Sequence, residues 1–403
     1  MIGDLRIESQ GLIMIGGPYH ASLRRPSGTF SWILVRSAIC ILVLLTTGVA
    51  AAQTAPPQET EKKEAKADRT FKPHLLLLPV ISYSPETRLA LGAGGILYYR
   101  LGQEKGKTRP SSLGLLMVYT MNNQIRLQLK PEIYLTKNAY RLNATLRFER
   151  FPGKFFGIGD DVPASAAEDY TPQTISLQLS VKRKILGSVF AGVQYTFEKT
   201  SIRKVTPGGL LEQGTIPGST GGVISGLGLS VNWDNRDNIF FPRRGSYLQF
   251  SADFFNPAFG SDYHFSTTSL DLRTYVPVFS THVMAFQFLT RDIGGSPPFY
   301  ELATLGGASI LRGNFSGQYR DKALLAVQAE YRLPVWRRFG AAAFVGLGNV
   351  GPALRDINLS RLKYSLGGGI RYRLDSKEGT NLRLDFAWGK ARAGFYATVQ
   401  EAF

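Results

Sequence analysis

Between residues 124 and 150 the chain changes character at almost every step. In QIRLQLK (124–130), Ile125, Leu127 and Leu129 alternate with Gln124, Arg126, Gln128 and Lys130. In AYRLNATLRFER (139–150), Tyr140, Leu142, Ala144, Leu146 and Phe148 alternate with Arg141, Asn143, Thr145, Arg147 and Glu149. TISLQLSVK (174–182), SLDLRTY (269–275) and NLRLDFAW (381–388) repeat the pattern. A period of two belongs to a strand with one dry face and one wet face. The polar face carries Arg126, Arg141, Arg147, Lys182 and Arg383. A soluble sandwich or a lipocalin-like barrel turns its apolar face inward and has no use for such a wall. Here the charged face lines water, so the apolar face meets lipid.

Several segments reach twelve residues, longer than most strands of soluble domains, and turn-rich breaks such as TKNA and DSKEGT separate them. The pattern predicts about 16 strands between residues 74 and 403, an even number of the length that suits a transmembrane antiparallel β-barrel. In lipid every backbone group must be paired, which a closed barrel achieves. The longest breaks, 151–171, 202–222 and 293–322, are connections five, seven and eleven. All three fall on one side, the outer side if the first strand leaves the periplasm.

Upstream of the barrel, residues 1–52 read as a signal peptide. Arg24, Arg25 and Arg36 precede the apolar run AICILVLLTTGVAAAQ, and Ala50, Ala51 and Ala52 offer small-residue cleavage. The run is shorter than the roughly 20 residues of a spanning helix; an uncleaved anchor helix is the alternative. Residues 53–72, Pro-rich and then charged, read as a disordered periplasmic lead-in. The barrel occupies 73–403, and no folded repeat is expected ahead of it.

The net charge of +17 admits nucleic acid, an anionic membrane or a basic channel. Strand alternation assigns it to lumen lining and lipopolysaccharide contact, with no nucleic acid. The single cysteine, Cys40, excludes an intramolecular disulfide framework and a cysteine-rich zinc site. The chain has no G-x-S-x-G, no H-E-x-x-H and no second-shell pattern around His74, His264 or His282. No catalytic, cofactor-binding or metal-ligating set is expected, and the chain does not read as an enzyme.

Three motifs stand out. GGASILRGNF (306–315) places Arg312 among glycines in the long eleventh connection. An arginine withdrawn from water needs carboxylate partners. Gly306, Gly307 and Gly313 permit close backbone approach. By alternation Glu330 shares a strand face with Gln328 and Arg332. DNRDNIFFPRRG (234–245) holds Asp234, Arg236 and Asp237 in a turn set by Pro242 and Gly245, read as salt-bridged anchors rather than a metal site. Phe395, Ala397, Val399 and Phe403 alternate to the end of the last predicted strand, 393–403.

ILRGNF (310–315), WDNRDNIFFPRRGSYLQFS (233–251), AEYRLPV (329–335), LRLDFAWGKARAGFYATVQEAF (382–403) and PVISYSPETRLALGAGGILYY (79–99) resemble, in family order, segments of the BamA/TamA (bacterial surface antigen) superfamily of outer-membrane assembly and translocation barrels. The resemblance implies that Arg312 and Gly313 fold inward and clamp the long loop to the lumen wall through Glu330. It implies a periplasmic turn at 234–245 and an insertion signal at Phe395, Val399 and Phe403. The family also places an aspartate on strand thirteen, where this chain has Gly346; Glu330, Asp385 or Glu149 compensates, or the loop is looser. Client outer-membrane or secreted proteins, and a separate periplasmic partner, follow from the same resemblance. Two functional readings stay open: an assembly or translocation barrel, and a passive pore or structural surface protein on the same scaffold.

Overall fold

The computed structural model describes residues 73–101, 108–135, 137–374, 381–390 and 392–403. The expected leader (1–52) and lead-in (53–72) lie outside them. Sixteen long strands follow one another: β1 (His74–Ser84), β2 (Arg88–Tyr99), β3 (Ser111–Thr120), β4 (Ile125–Leu135), β5 (Tyr140–Arg150) and β6 (Glu168–Leu186). Next come β7 (Val189–Val205), β8 (Gly221–Asp234), β9 (Gly245–Phe255), β10 (Phe265–Val278) and β11 (His282–Gly295). The last five are β12 (Ala323–Trp336), β13 (Phe339–Gly351), β14 (Lys363–Arg373), β15 (Asn381–Gly389) and β16 (Ala393–Val399). Each pairs antiparallel with its neighbour in sequence, and β1 returns to β16, so the sheet closes. A short strand, Gly153–Phe155, lengthens the sheet beside β6, and a separate pair, Ala303–Leu305 with Tyr319–Asp321, lies inside the β11–β12 connection.

The alternation read from sequence sorts the side chains as lipid demands. Leu75, Leu77, Leu115, Leu146 and Val193 are exposed on the outside. Polar residues of the opposite parity point into the lumen and pair there: Arg126 Nε donates to Glu149 at 3.0 Å and Arg141 meets Glu132 at 2.5 Å. Arg126 and Glu149 stand directly opposite one another across the β4–β5 ladder, an arrangement of opposite charges that supports the register.

The three longest connections share one end. At the near end, where β1 begins and β16 stops, β6–β7 turns through Gly187 and Ser188, and β12–β13 through Arg337 and Arg338. At the far end lie the long connections 151–167, 206–220 and 296–322. β6 and β7, with 19 and 17 residues, overshoot a hydrocarbon band of about 25 Å even when tilted. Their far ends carry an apolar cap in which Phe151, Phe155, Tyr170, Leu211, Ile216, Phe299 and Tyr300 pack together.

One junction differs from the rest. β1 and β16 share a single ladder position, Tyr83 opposite Ala397, against eleven between β1 and β2 and seven between β15 and β16. An aromatic contact between Tyr83 and Phe395, centroids 5.8 Å apart, accompanies it. Sequence alternation predicts β16 over 393–403; the structure ends it at Val399. Gln400 takes φ +76°, which breaks the two-residue parity. Phe403 therefore leaves the outward face and is buried in the lumen with Ala402, against Tyr275, Val283 and Ala285 of β10 and β11.

Candidate functional site

The 296–322 connection folds into the barrel. Leu302, Leu305, Leu311 and Tyr319 pack against Ile224, Phe255, Phe265, Ile293, Leu324 and Val350 of the wall, so apolar burial holds the loop's upper part. Its tip is stitched to the wall by hydrogen bonds. Leu311 N donates to Gln328 Oε1 at 2.9 Å, Gly313 N to Tyr396 Oη at 2.9 Å, and Ser365 Oγ to the Arg312 carbonyl at 2.6 Å. Gly313 has φ +93°, and a Cβ there would lie 2.5 Å from Gly389 N and 2.6 Å from Trp388 C. Only glycine lets the tip lie this close to β15.

Arg312 is buried and reaches two strands at once. Nη2 contacts Glu330 Oε2 on β12 at 2.5 Å, and Nη1 donates to Asp385 Oδ2 on β15. Its Cζ lies 3.4 Å from the centre of the Phe344 ring on β13, a cation–π contact in the same pocket. The two carboxylates are themselves shared. Arg332 Nε donates to Glu330 at 2.8 Å; Arg371 reaches Glu330 at 3.2 Å and Asp385 at 2.6 Å; Arg383 lies 3.5 Å from Asp385. Arg371 Nε also donates to Glu401 at 2.7 Å, and Arg332 donates to the Phe403 carbonyl at 2.9 Å. Four arginines and three carboxylates thus tie the loop, the wall and the 400–403 tail into one buried cluster. Removing one member of such a set strands the others without solvent, which costs about 3–5 kcal/mol.

The strand-thirteen position is occupied by Gly346, and Asp385 supplies the second carboxylate from β15. Glu149 plays no part; it pairs with Arg126 across the lumen wall. Gly346 stands opposite Gln328 in the β12–β13 ladder, and a Cβ there would come within 3.4 Å of Gln328 Cγ. The space goes to the glutamine that holds Leu311. The triplet Gly367, Gly368 and Gly369 serves the same pocket. A Cβ at Gly367 would meet Phe344 Cζ at 2.5 Å, and one at Gly369 would overlap Asp385 Oδ1. Two of these glycines, Gly367 and Gly369, vacate room for the clamp.

The β8–β9 turn is organised around its charges. Arg236 grips Asp234 with two nitrogens, at 2.8 and 2.7 Å, and its Cζ lies 4.7 Å from the Tyr247 ring centre. Asp237 Oδ1 accepts from Arg243 N at 3.0 Å and Arg244 N at 3.3 Å. Gly245 has φ +100°, with Asn235 O only 2.6 Å from where a Cβ would stand. Pro242 lies in the same turn, between Phe241 and Arg243.

Phe395 is exposed on the lipid face of β16, and Val399 is half-buried at its end, so the three positions of the expected insertion signal do not share a face. Arg332, Arg371, Arg383 and Glu401 are the cluster members that sequence reading does not assign to the clamp. The parity of Arg332 with Glu330 and of Arg383 with Asp385 was the available signal; Glu401 gave none, because parity puts it on the lipid face.

Burial also acts on the loop's own ionisable groups. Arg320, whose Nε donates to the Gly317 carbonyl at 2.7 Å, is pushed down to about 10 by desolvation, with Tyr170 opposing the shift. Burial raises the Glu301 carboxyl although Arg291, 3.0 Å away, pulls it back. Asp321 is likewise raised by burial.

Comparison with known proteins places this geometry. The Omp85 superfamily domain matches residues 117–401. Among solved structures, BamA from Haemophilus ducreyi lacking POTRA domains 1–3 is similar at a TM-score of 0.59 and 17% identity, over 81% of this chain and 70% of that one. CdiB from Acinetobacter baumannii is similar at 0.52 and 14%, over 81% and 59%. CdiB from Escherichia coli is similar at 0.53 and 9%, over 87% and 72%. At these identities the structures speak to the fold, whereas the domain match covers well over half of the sequence. The chain is an integral outer-membrane β-barrel and belongs to the Omp85 superfamily.

Proposed function

We infer that this barrel inserts or translocates other proteins at the outer membrane by opening between β1 and β16. One observation carries the reading: those strands share a single ladder position, Tyr83 opposite Ala397. From His74 to Ser82, β1 is paired on its β2 side only. In hydrocarbon each unpaired backbone group costs several kcal/mol, so an incoming strand that pairs with this edge is favoured, as in strand addition generally. The inward turn at Gln400 sustains the gap, because it withdraws residues that would otherwise extend β16 along β1. On this reading the near end faces the periplasm, where a separate partner would deliver clients. Resemblance of five sequence segments to assembly and translocation barrels supports the same role.

The test joins the seam. Tyr83→Cys with Ala397→Cys, and Cys40→Ser to remove the only other thiol, allows the junction to be closed by oxidation. Deleting the gene is expected to deplete a defined set of barrel or secreted proteins from the outer membrane. The reduced double-cysteine protein restores them and the oxidised one does not. An unchanged outer-membrane proteome after deletion would defeat the inference. The passive-pore reading draws on the polar lumen cavity of about 560 Å³, lined by Arg147, Gln178, Asp271 and Arg273 among others. Constitutive conductance of the intact protein in planar bilayers would favour it.

A further inference from the structure

At the near end, where β12 and β14 finish and β13 begins, the strands carry a row of outward aromatic rings. Trp336 stacks on Phe339 with centroids 6.3 Å apart and planes 8° from parallel, and Phe339 meets Tyr372 at 5.1 Å. Trp336 is 61% exposed and Phe339 43%. On the nearby β10–β11 turn Phe279 is 79% exposed. Rings in this position belong at a lipid–water boundary.

Basic residues lie directly beyond the rings. Arg337 and Arg338 form the β12–β13 turn, both exposed, and Arg337 Cζ lies 5.0 Å from the Trp336 ring centre. Arg373 N donates to the Arg338 carbonyl at 2.9 Å, which sets the end of β14 beside the turn. Among the described residues none of these three arginines makes an ion pair with a carboxylate. The clamp arginines in the lumen are each matched to acids, whereas Arg337 and Arg338 are exposed on the turn. Below the rings the outward positions turn small: Ala341 and Ala343 on β13, with Gly368 opposite Ala343 on β14. Ile370 stands opposite Ala341 and Leu366 opposite Val345, so the small pair lies between exposed aliphatic side chains.

We propose that this rim binds the phosphate of an anionic phospholipid, with one acyl chain lying over the small Ala343 and Gly368 between the exposed Val345, Leu366 and Ile370. Guanidinium forks pair with phosphate through parallel hydrogen bonds. The rings rest at the glycerol level, and the small residues accommodate the chain. An anionic phospholipid fits better than lipopolysaccharide because the site is at the end opposite the long connections. The inference rests on the orientation proposed above, with the near end toward the periplasm, and stands whether or not the seam opens.

Native mass spectrometry of the purified full chain tests it, with phosphatidylglycerol, cardiolipin, phosphatidylethanolamine and lipid A supplied at equal concentration. The unmodified protein is expected to retain phosphatidylglycerol and cardiolipin over phosphatidylethanolamine by about tenfold, on the scale of several surface arginines acting together. Arg337→Asn, Arg338→Gln and Arg373→Gln combined should abolish the preference; Asn suits the φ of +50° at position 337. Removing three cations from the far end, with Arg203→Gln, Lys204→Gln and Arg355→Gln, should leave it intact. Trp336→Ala, which keeps every charge, should weaken retention severalfold and guards against misfolding of the triple variant. Equal retention of phosphatidylglycerol and phosphatidylethanolamine, preferential retention of lipid A, or retention unaffected by the rim variants would overturn the proposal. The last result would leave the rim to an acidic protein partner.

Discussion

Arg371 Nε donates to Glu401 at 2.7 Å while the same guanidinium reaches Asp385 at 2.6 Å and Glu330 at 3.2 Å. Through one side chain, the tail that shortens β16 shares carboxylate partners with the loop that fills the lumen. Shifting the tail alters the charge balance around Arg312, and undocking Arg312 alters what the tail is held by.

The clamp itself should show coupling. Arg312→Gln and Glu330→Gln are each expected to destabilise the barrel by about 3–5 kcal/mol, with an interaction energy of about 1–3 kcal/mol in the double-mutant cycle. Urea unfolding in lipid vesicles, followed by tryptophan fluorescence, measures it. Additive effects would remove the Arg312–Glu330 pair from the account of loop docking.

Gly313→Ala should undock the loop tip without disturbing the strands. The substitution places a Cβ against Gly389 N and Trp388 C at a backbone angle that disfavours it. The expected result is faster proteolytic cleavage within 306–318, with the heat-modifiable gel mobility of a closed barrel retained. Excision of 306–318 should produce stable channel openings in planar bilayers that the unmodified protein lacks.

Glu401→Gln tests the sharing described above. It leaves Arg371 and Arg332 with less negative charge, so amide exchange should rise in β16 and also in the 306–318 tip. A rise confined to β16 would show that the two elements respond separately.

Loop docking should also depend on pH. Burial raises Glu301 and Asp321, so the docked loop binds protons more tightly than the free one. Linkage then makes the contribution of these two groups to docking largest below the ordinary carboxylate range and smaller as pH rises through the raised values. Proteolysis of the loop is expected to be slower at mildly acid pH, and Glu301→Gln should flatten the dependence.

Most of the wall was legible in the sequence because lipid enforces the period-two pattern at every position. The polar face named by Arg126, Arg141, Arg147 and Arg383 does line the lumen, where burial could be sorted by parity alone. Parity fails where a strand stops. Gln400 takes its positive φ without a glycine to announce it, and the inward paths of Glu401 and Phe403 depend on Arg332, Arg371 and Tyr275, far away in the chain. The carboxylate supplied by Asp385 was open for a related reason. β12 and β15 are not ladder neighbours, so no register argument brings Glu330 and Asp385 to the same guanidinium. Gly367 and Gly369 were visible as glycines, but their purpose is set by the Phe344 and Asp385 side chains that occupy the vacated space.

The burial of Phe403 makes completion of the barrel self-concealing. Any factor that reads this ring must do so while the polypeptide is still open, for closure buries it among Tyr275, Val283 and Ala285. A finished copy and a nascent one then differ in what they display to their surroundings, although they carry the same covalent text.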